Sequence, residues 1–439
     1  GTQADSSLLD ATSEGDAGAR DGASPIQDSG LDASVMECTP ACSGSTPNCD
    51  TRTGTCVECT GNAQCDDGDP CTLDRCALGT CERPVDPACI VQIVLGAAHS
   101  CARRASGALH CWGANDRSQI GNGTSLSPQV EPQRVVGIDD GSWIAAGTDH
   151  TCGARAGSRF AECWGRNTYG EAGGASSPDR STPAVVAGLS DVAEVAAGQN
   201  FSCARLGTGA VRCWGRNQFG QLGNGTTTDP FAPVPVSGLA DATRISVGTT
   251  HACARRATGE VACWGGGTTG QLGDGTTMNH TTPFTVPGVF DAVDVSAGNG
   301  FTCATRMNGE VLCWGRNGSG QIGDGSTLLR LTPVTVMDLS DAVEVAAGGS
   351  HTCARRRGGE VVCWGYGEQG QIGDGSMVDR FTPVAVSGLD RAARLDVGEF
   401  HSCAQRTSGQ VVCWGANTGG QLGDGSTTNR ASPVVVTGL

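Results

Sequence analysis

The tripeptide Cys-Trp-Gly occurs seven times, beginning at Cys111, Cys163, Cys213, Cys263, Cys313, Cys363 and Cys413. After a first step of 52 residues, every interval is 50. A period of this size, built from short valine-rich runs and glycine turns, marks an array of units that bury little alone and become stable by packing on their neighbours. A residue repeated in every unit builds the unit, so individual function must be sought where the repeat is broken.

Each unit reads as four short strands with period-two character. In residues 383–415 these are Pro-Val-Ala-Val at 383–386, Ala-Arg-Leu-Asp-Val at 393–397, His-Ser-Cys-Ala-Gln at 401–405 and Gln-Val-Val-Cys-Trp at 410–414. Three short connections suit neighbours in one antiparallel sheet, whereas the stretch from Gly365 to Thr382, including Gly-Gln-Ile-Gly-Asp-Gly, is long enough to cross between sheets. That register starts each blade with its proline strand. Ile90–Leu95 then lacks a proline strand before it, and Pro433–Val436 is expected to complete the first blade and close the ring. The fold expected is an all-β, seven-bladed propeller over 90–439.

The strings Ala-Gly-x-x-His, Gly-x-Val-x-x-Trp-Gly-x-Asn and Gly-Gln-Leu-Gly-x-Gly-Thr, spread over residues 90–439, resemble the repeat of the regulator of chromosome condensation family. The resemblance implies a seven-bladed propeller with permuted ring closure. It also implies a range of activities: guanine-nucleotide exchange on a small GTPase, accessory roles in ubiquitin ligases and, in a secreted bacterial relative, inhibition of beta-lactamases. Fold likeness does not choose among these.

Twenty-four cysteines point to an oxidising compartment, and so to an extracellular, cell-surface, outer-membrane-tethered or periplasmic location, and the resemblance to the secreted bacterial relative implies a bacterial source. Fourteen lie in the repeats as seven pairs: Cys101 with Cys111, Cys152 with Cys163, Cys203 with Cys213, Cys253 with Cys263, Cys303 with Cys313, Cys353 with Cys363 and Cys403 with Cys413. In six pairs the spacing is ten residues across a glycine turn. Counting inward from the Arg357-Gly358-Gly359 turn puts Cys353 directly opposite Cys363 at a non-hydrogen-bonded site, where Cα atoms ~4.5 Å apart can carry a disulfide. Two cysteines per blade do not make a structural zinc site, and no metal or cofactor is expected.

Ten cysteines between Cys38 and Cys89, with no histidine and few apolar residues, read as a module stapled by five disulfides. Asp66, Asp67 and Asp69 could ligand calcium, but a tight turn also demands Asp and Gly and is the preferred reading. Cys56 and Cys59 are read as halves of two different disulfides. Residues 1–37 carry eight acids against one arginine and read as a disordered acidic linker, consistent with a processed N-terminus and a lipid tether.

All 29 basic residues are arginine, which excludes Schiff-base lysine chemistry and a phosphate loop with its motif lysine. The net charge of -16 disfavours nucleic acid, and no apolar run reaches the ~20 residues of a transmembrane helix. His99, His150, His251, His351 and His401 share a position with Phe201 and Phe301, so a planar packing group rather than a catalyst is expected there. Asp274, Asp324, Asp374 and Asp424 alternate with Asn122 and Asn224, which share turn chemistry but not charge.

No nucleophile with a paired base stands out, so an enzyme is not expected. The departures from the repeat cluster in the long links: Phe231, Met278 with His280, Leu328, Leu329, Met377 with Val378, and Phe381. If these links share a rim, the side chains form an apolar patch for a protein partner. The expected function is a secreted or surface-displayed binding scaffold. The alternatives are an inhibitor of an extracellular enzyme such as a beta-lactamase and, less in keeping with the cysteines, nucleotide exchange.

Overall fold

The computed structural model describes residues 48–50, 55–65, 71–73, 75–174 and 178–439. The 1–37 linker, the aspartates of 66–70 and the staples involving Cys38 and Cys42 lie outside these residues. Seven four-stranded antiparallel sheets form the seven blades. Blade six is representative. Its strands are Ala342–Ala347, His351–Arg356, Val361–Gly365 and Arg380–Ala385, running in that order from the axis outward. Ala346 faces Cys353, Cys353 faces Cys363, and Cys363 faces Val384.

This order corrects the expected register. The proline strand comes last in its own blade, and Arg430–Val435 pairs with Val411–Gly415 of blade seven rather than with blade one. The long link does not cross. It leaves the third strand, folds on itself and returns as the outer strand. In blade five, Asn317 Nδ2 donates to Ser326 O and Asn317 Oδ1 accepts from Ile322 N–H. The link's carbonyl at Gln321 accepts from the Trp364 indole of the next blade at 3.0 Å. Its length serves to seal the seam between blades, and the crossing is made by the short segment 336–341. Proline recurs in the outer strands, as Pro333 and Pro383 do, where an exposed edge needs fewer N–H donors and pairing with other chains is discouraged.

The ring closes by packing, by side-chain hydrogen bonds and by the backbone bonds of Glu399 N–H to Gly96 O at 3.3 Å and Gly425 N–H to Val130 O at 3.2 Å. Ile93, Leu95 and Trp112 of blade one share a buried cluster with Cys403, Cys413, Leu422 and Val436 of blade seven. Trp112 Nε1 donates to Gln421 O at 2.9 Å, and Leu95 N–H donates to Asp396 Oδ2 at 2.7 Å. Gly96, Gly147, Gly198, Gly248, Gly298, Gly348 and Gly398 end the seven innermost strands, each close against the next one's carbonyl. A Cβ on Gly398 would lie 2.5 Å from Gly96 O, so only glycine lets the seventh blade meet the first.

Because strands alternate direction, the loops after the innermost strands and the long links share one face, here the upper face. The two-to-three hairpins and blade-to-blade links share the lower face. The cysteine-rich segment joins on the lower side. Ala105 N–H donates to Cys89 O at 2.8 Å, and Ser106 N–H to Pro87 O at 3.1 Å. Within it, Cys59 pairs with Cys76, Cys65 with Cys81 and Cys71 with Cys89. The sulfurs of Cys59, Cys65 and Cys81 lie within 4.8 Å of one another, but all three are already in disulfides and offer no thiolate to a metal.

Candidate functional site

Residues that recur in every blade are absorbed by structure. The seven repeat tryptophans are fully buried. The seven cysteine pairs stand directly opposite in strands two and three with Cα atoms 4.0–4.1 Å apart, each joined as a disulfide, the Cys152 and Cys163 pair included. His351 Nε2 meets Ser402 Oγ at 2.8 Å, and Ser402 Oγ donates to Gln371 O, so the imidazole Nε2–H is the donor to the hydroxyl. His99, His150, His251 and His401 make the same bridge to Thr151, Ser202, Thr302 and Ser100 of the next blade. Burial holds these imidazoles far below the ordinary 6.5, at about 4 for His99 and about 3 for the others, so they are neutral. The aspartates act as turn formers: Asp324 accepts from Ser326 N–H and pairs with Arg330, and Asn224 does the same for Thr226 N–H.

The six residues singled out as a partner patch divide in two. Met278 is 68% exposed, Leu328 64% and Met377 51%, and Leu329 and Val378 are also exposed. They occupy the upper-face links of blades four, five and six in succession. Phe231 and Phe381 keep exposed faces but pack one ring edge against Gly170 and Gly320 of the preceding blade's link, where any larger residue would collide with Phe381. Those two serve packing as well as surface. His280 is tied to Asp274 at 2.8 Å.

The innermost strands leave one edge unpaired along the axis, and departures from the repeat answer that need. Gln92 Oε1 accepts from Ile144 N–H, Ser246 Oγ from Ala297 N–H, Ser296 Oγ from Ala347 N–H and Asp396 from Leu95 N–H, each reaching to the next blade. Around them lies an axial chamber of about 230 Å3. Arg244 lies 5.2 Å from the Trp143 ring and pairs with Glu194 at 3.7 Å and Asp294 at 3.5 Å. Glu194 is also bound by Arg205 at 2.8 Å. Burial pushes Asp294 up to about 6 and Asp396 up to about 7, because too few cations are near enough to offset the lost hydration. Above the chamber, Thr148, Gln199, Thr249, Asn299 and Glu399 ring the mouth of a wider vestibule of about 380 Å3.

A second apolar cluster escaped the sequence reading. On the lower face of blade five, Phe290 is 63% exposed, Met307 73% and Val293 41%, and Met307 N–H donates to Asp291 O, which places the first two side by side. The signal was present: other blades have Ser340, Ala240 or Asp390 where blade five has Phe290. It lay in a short link and a hairpin rather than in the long links.

A family model described as the regulator of chromosome condensation (RCC1) repeat matches residues 106–154, 208–255, 258–305, 308–355, 358–405 and 408–439. A second model of the same description matches six segments between 90 and 421. The chain belongs to the regulator of chromosome condensation repeat family. Among curated relatives, the probable E3 ubiquitin-protein ligase HERC4 of Homo sapiens is 30% identical over 120 residues, covering 26% of this chain and 11% of that protein. The human HERC3 counterpart is 31% identical over 115 residues, with the same coverage. The match thus spans about a tenth of these relatives' length. Among solved structures, human WBSCR16 superposes with a TM-score of 0.69 at 21% identity, over 75% of this chain and 94% of that one. Yeast RCC1 (Prp20), solved bound to Kap60, gives 0.68 at 20% identity, over 76% and 84%. These likenesses show the fold.

Proposed function

We propose that this propeller is a non-enzymatic scaffold that binds a protein partner outside the reducing cytosol, through its upper face. The observation that carries this reading is the run of exposed Met278, Leu328, Leu329, Met377 and Val378 over three consecutive blades, at links where blades three and seven carry threonine at 227–228 and 427–428. Because the disulfide-braced blades already fix the backbone that carries these side chains, docking has mainly side-chain rotamers left to order. The seven blade disulfides support an oxidising compartment, and no helix among the described residues is long and apolar enough to cross a membrane. Solved relatives of this fold bind proteins: one was determined with Kap60, and another, Prp20p, is described with its binding to Gsp1p and histones.

The test is capture by the full chain from the extracellular and envelope fractions of its source. The triple variant Met278→Ser, Leu328→Ser, Met377→Ser, which alters exposed side chains only, is the control. A partner retained by the wild type and lost with the variant supports the reading; equal retention refutes the upper face as the docking surface. Inhibition of an extracellular hydrolase such as a beta-lactamase is the second reading, since the same face would cover an active site. Stoichiometric loss of hydrolysis on titration would select it.

A further inference from the structure

We propose that the upper half of the axial channel binds an alkylammonium group, a primary amine at the end of a short aliphatic chain such as a lysine side chain carries. Three carboxylates line the chamber, and one of them is matched, Glu194 by Arg205 at 2.8 Å. Asp396 and Glu399, on blade seven, have no guanidinium within ion-pair distance among the described residues. The Asp396 carboxylate accepts from Leu95 N–H at Oδ2, 2.7 Å away, and lies against the backbone N–H of Val397, and as a four-lone-pair acceptor lining the chamber it keeps capacity for a ligand. Glu399 stands at the mouth and Asp396 lies below it in the chamber, so a cation entering from the upper face meets one carboxylate and then the other.

The rest of the lining selects the kind of cation. Val94, Ala145 and Ala196 give the chamber apolar walls at the level of Asp396, suited to methylenes, while Ser246 and Ser296 supply hydroxyl groups at that depth. A chamber of about 230 Å3 accommodates a four-carbon amine. A divalent metal is disfavoured, because among the described residues no three carboxylate oxygens come within 4.8 Å of one another. Within the chamber an anion is disfavoured as well, since Arg244, the arginine that lines it, is engaged by Glu194, Asp294 and the Trp143 ring, while Arg316 lies above in the vestibule. The chain contains no lysine, so the amine comes from another molecule.

The experiment is isothermal titration of the full chain with n-butylammonium chloride, with n-butanol as the uncharged control and Nα-acetyl-lysine methylamide as the protein-side-chain arm. Saturable one-to-one binding of the amine near roughly millimolar affinity is expected, with butanol at least about tenfold weaker. A lysine derivative that binds as well as butylammonium indicates a side chain as the natural source; one that binds much more weakly indicates a free amine. Asp396→Asn keeps an oxygen for Leu95 N–H while removing the charge, and is expected to weaken binding about tenfold or more. Glu399→Gln, at a half-buried position in the mouth, is expected to weaken it by a smaller factor and serves if the first variant melts early. Butanol binding as tightly as the amine, no saturation with either amine, or unchanged affinity in both variants would overturn the proposal. None of these outcomes depends on whether the upper face binds a protein.

Discussion

Blades three and four meet through Phe201 over Ala252, whereas blades six and seven meet through His351, whose Nε2–H is accepted by Ser402 at 2.8 Å. Both ring positions are fully buried, and both seams carry the same indole-to-carbonyl bond from the next blade's tryptophan. The position therefore requires a flat ring, and the polar version of that ring requires a hydroxyl opposite it. Phe301 faces Thr352, whose hydroxyl still donates to Gln321 O, so the hydroxyl serves the link carbonyl first and the histidine second. The histidine seams carry a cost that the phenylalanine seams avoid, because Nδ1 of each of the five histidines is buried without a partner.

The feature common to all seams should be the hardest to change. Gly398→Ala places a methyl group against Gly96 O and the His401 ring, and the expected loss exceeds about 4 kcal/mol in chemical denaturation. The matched control Gly388→Ala, with φ +69° and open space around it, should lose only about 1 kcal/mol of stability. Equal losses would mean that the glycine ring does not hold the closure.

Emptying either seam should come next. Phe201→Ala is expected to cost about 3–5 kcal/mol and His351→Ala somewhat less, since the histidine sheds an unpartnered nitrogen as it goes. If His351→Ala proved far costlier than Phe201→Ala, the hydrogen bond rather than the ring would be the main contributor. Removing the blade-six disulfide as Cys353→Ala with Cys363→Ala should cost about 2–3 kcal/mol, the loop-closure value for this separation, as read from the shift in melting temperature.

The smallest change is the most informative. Exchanging one seam for the other, as His351→Phe with Ser402→Ala, should leave stability at pH 7.5 within about 1 kcal/mol of wild type. In acid the variant should gain on the wild type. The folded pKa of His351 is about 3 against an ordinary 6.5, so below pH 6.5 the unfolded chain takes up a proton that the folded chain refuses, and stability drains away as the pH falls toward 3. Asp294 and Asp396 have the opposite sign. Their folded values near 6 and 7 lie above the ordinary carboxylate range, so the folded state takes up protons first and gains stability as the pH falls through 7 toward 4. Both proteins share those carboxylates, so the difference between their pH profiles isolates the histidine, and identical profiles from pH 7.5 to 4 would contradict its buried neutral state.

Much of this architecture could be read from residue order. Spacing and hairpin turns placed Cys353 opposite Cys363, and the interchange of His with Phe, and of Asp with Asn, identified packing and turn positions before any contact was known. The start of a blade was not legible, because a tandem repeat reads the same from any starting point. Link length misled there, since residues 366–379 are long in order to cover a neighbour's tryptophan. Nor could the channel be seen: Gln92, Ser246 and Asp396 sit in strands of ordinary appearance, and the N–H groups they satisfy belong to the next blade, 52 and 51 residues away for Gln92 and Ser246 and 301 for Asp396. Phe290 and Met307 departed visibly from the repeat, yet only the fold brings them together.

The 50-residue recurrence settled the blade count, and local stereochemistry settled the hairpins and the blade disulfides, whose partners are only 10 or 11 residues apart. Closure without strand exchange, the carboxylates left unmatched on the axis and the gathering of Met278, Leu328 and Met377 on one face depend on how seven units meet around a common axis. Those outcomes are set by contacts between blades, and the order of residues within one blade does not encode them.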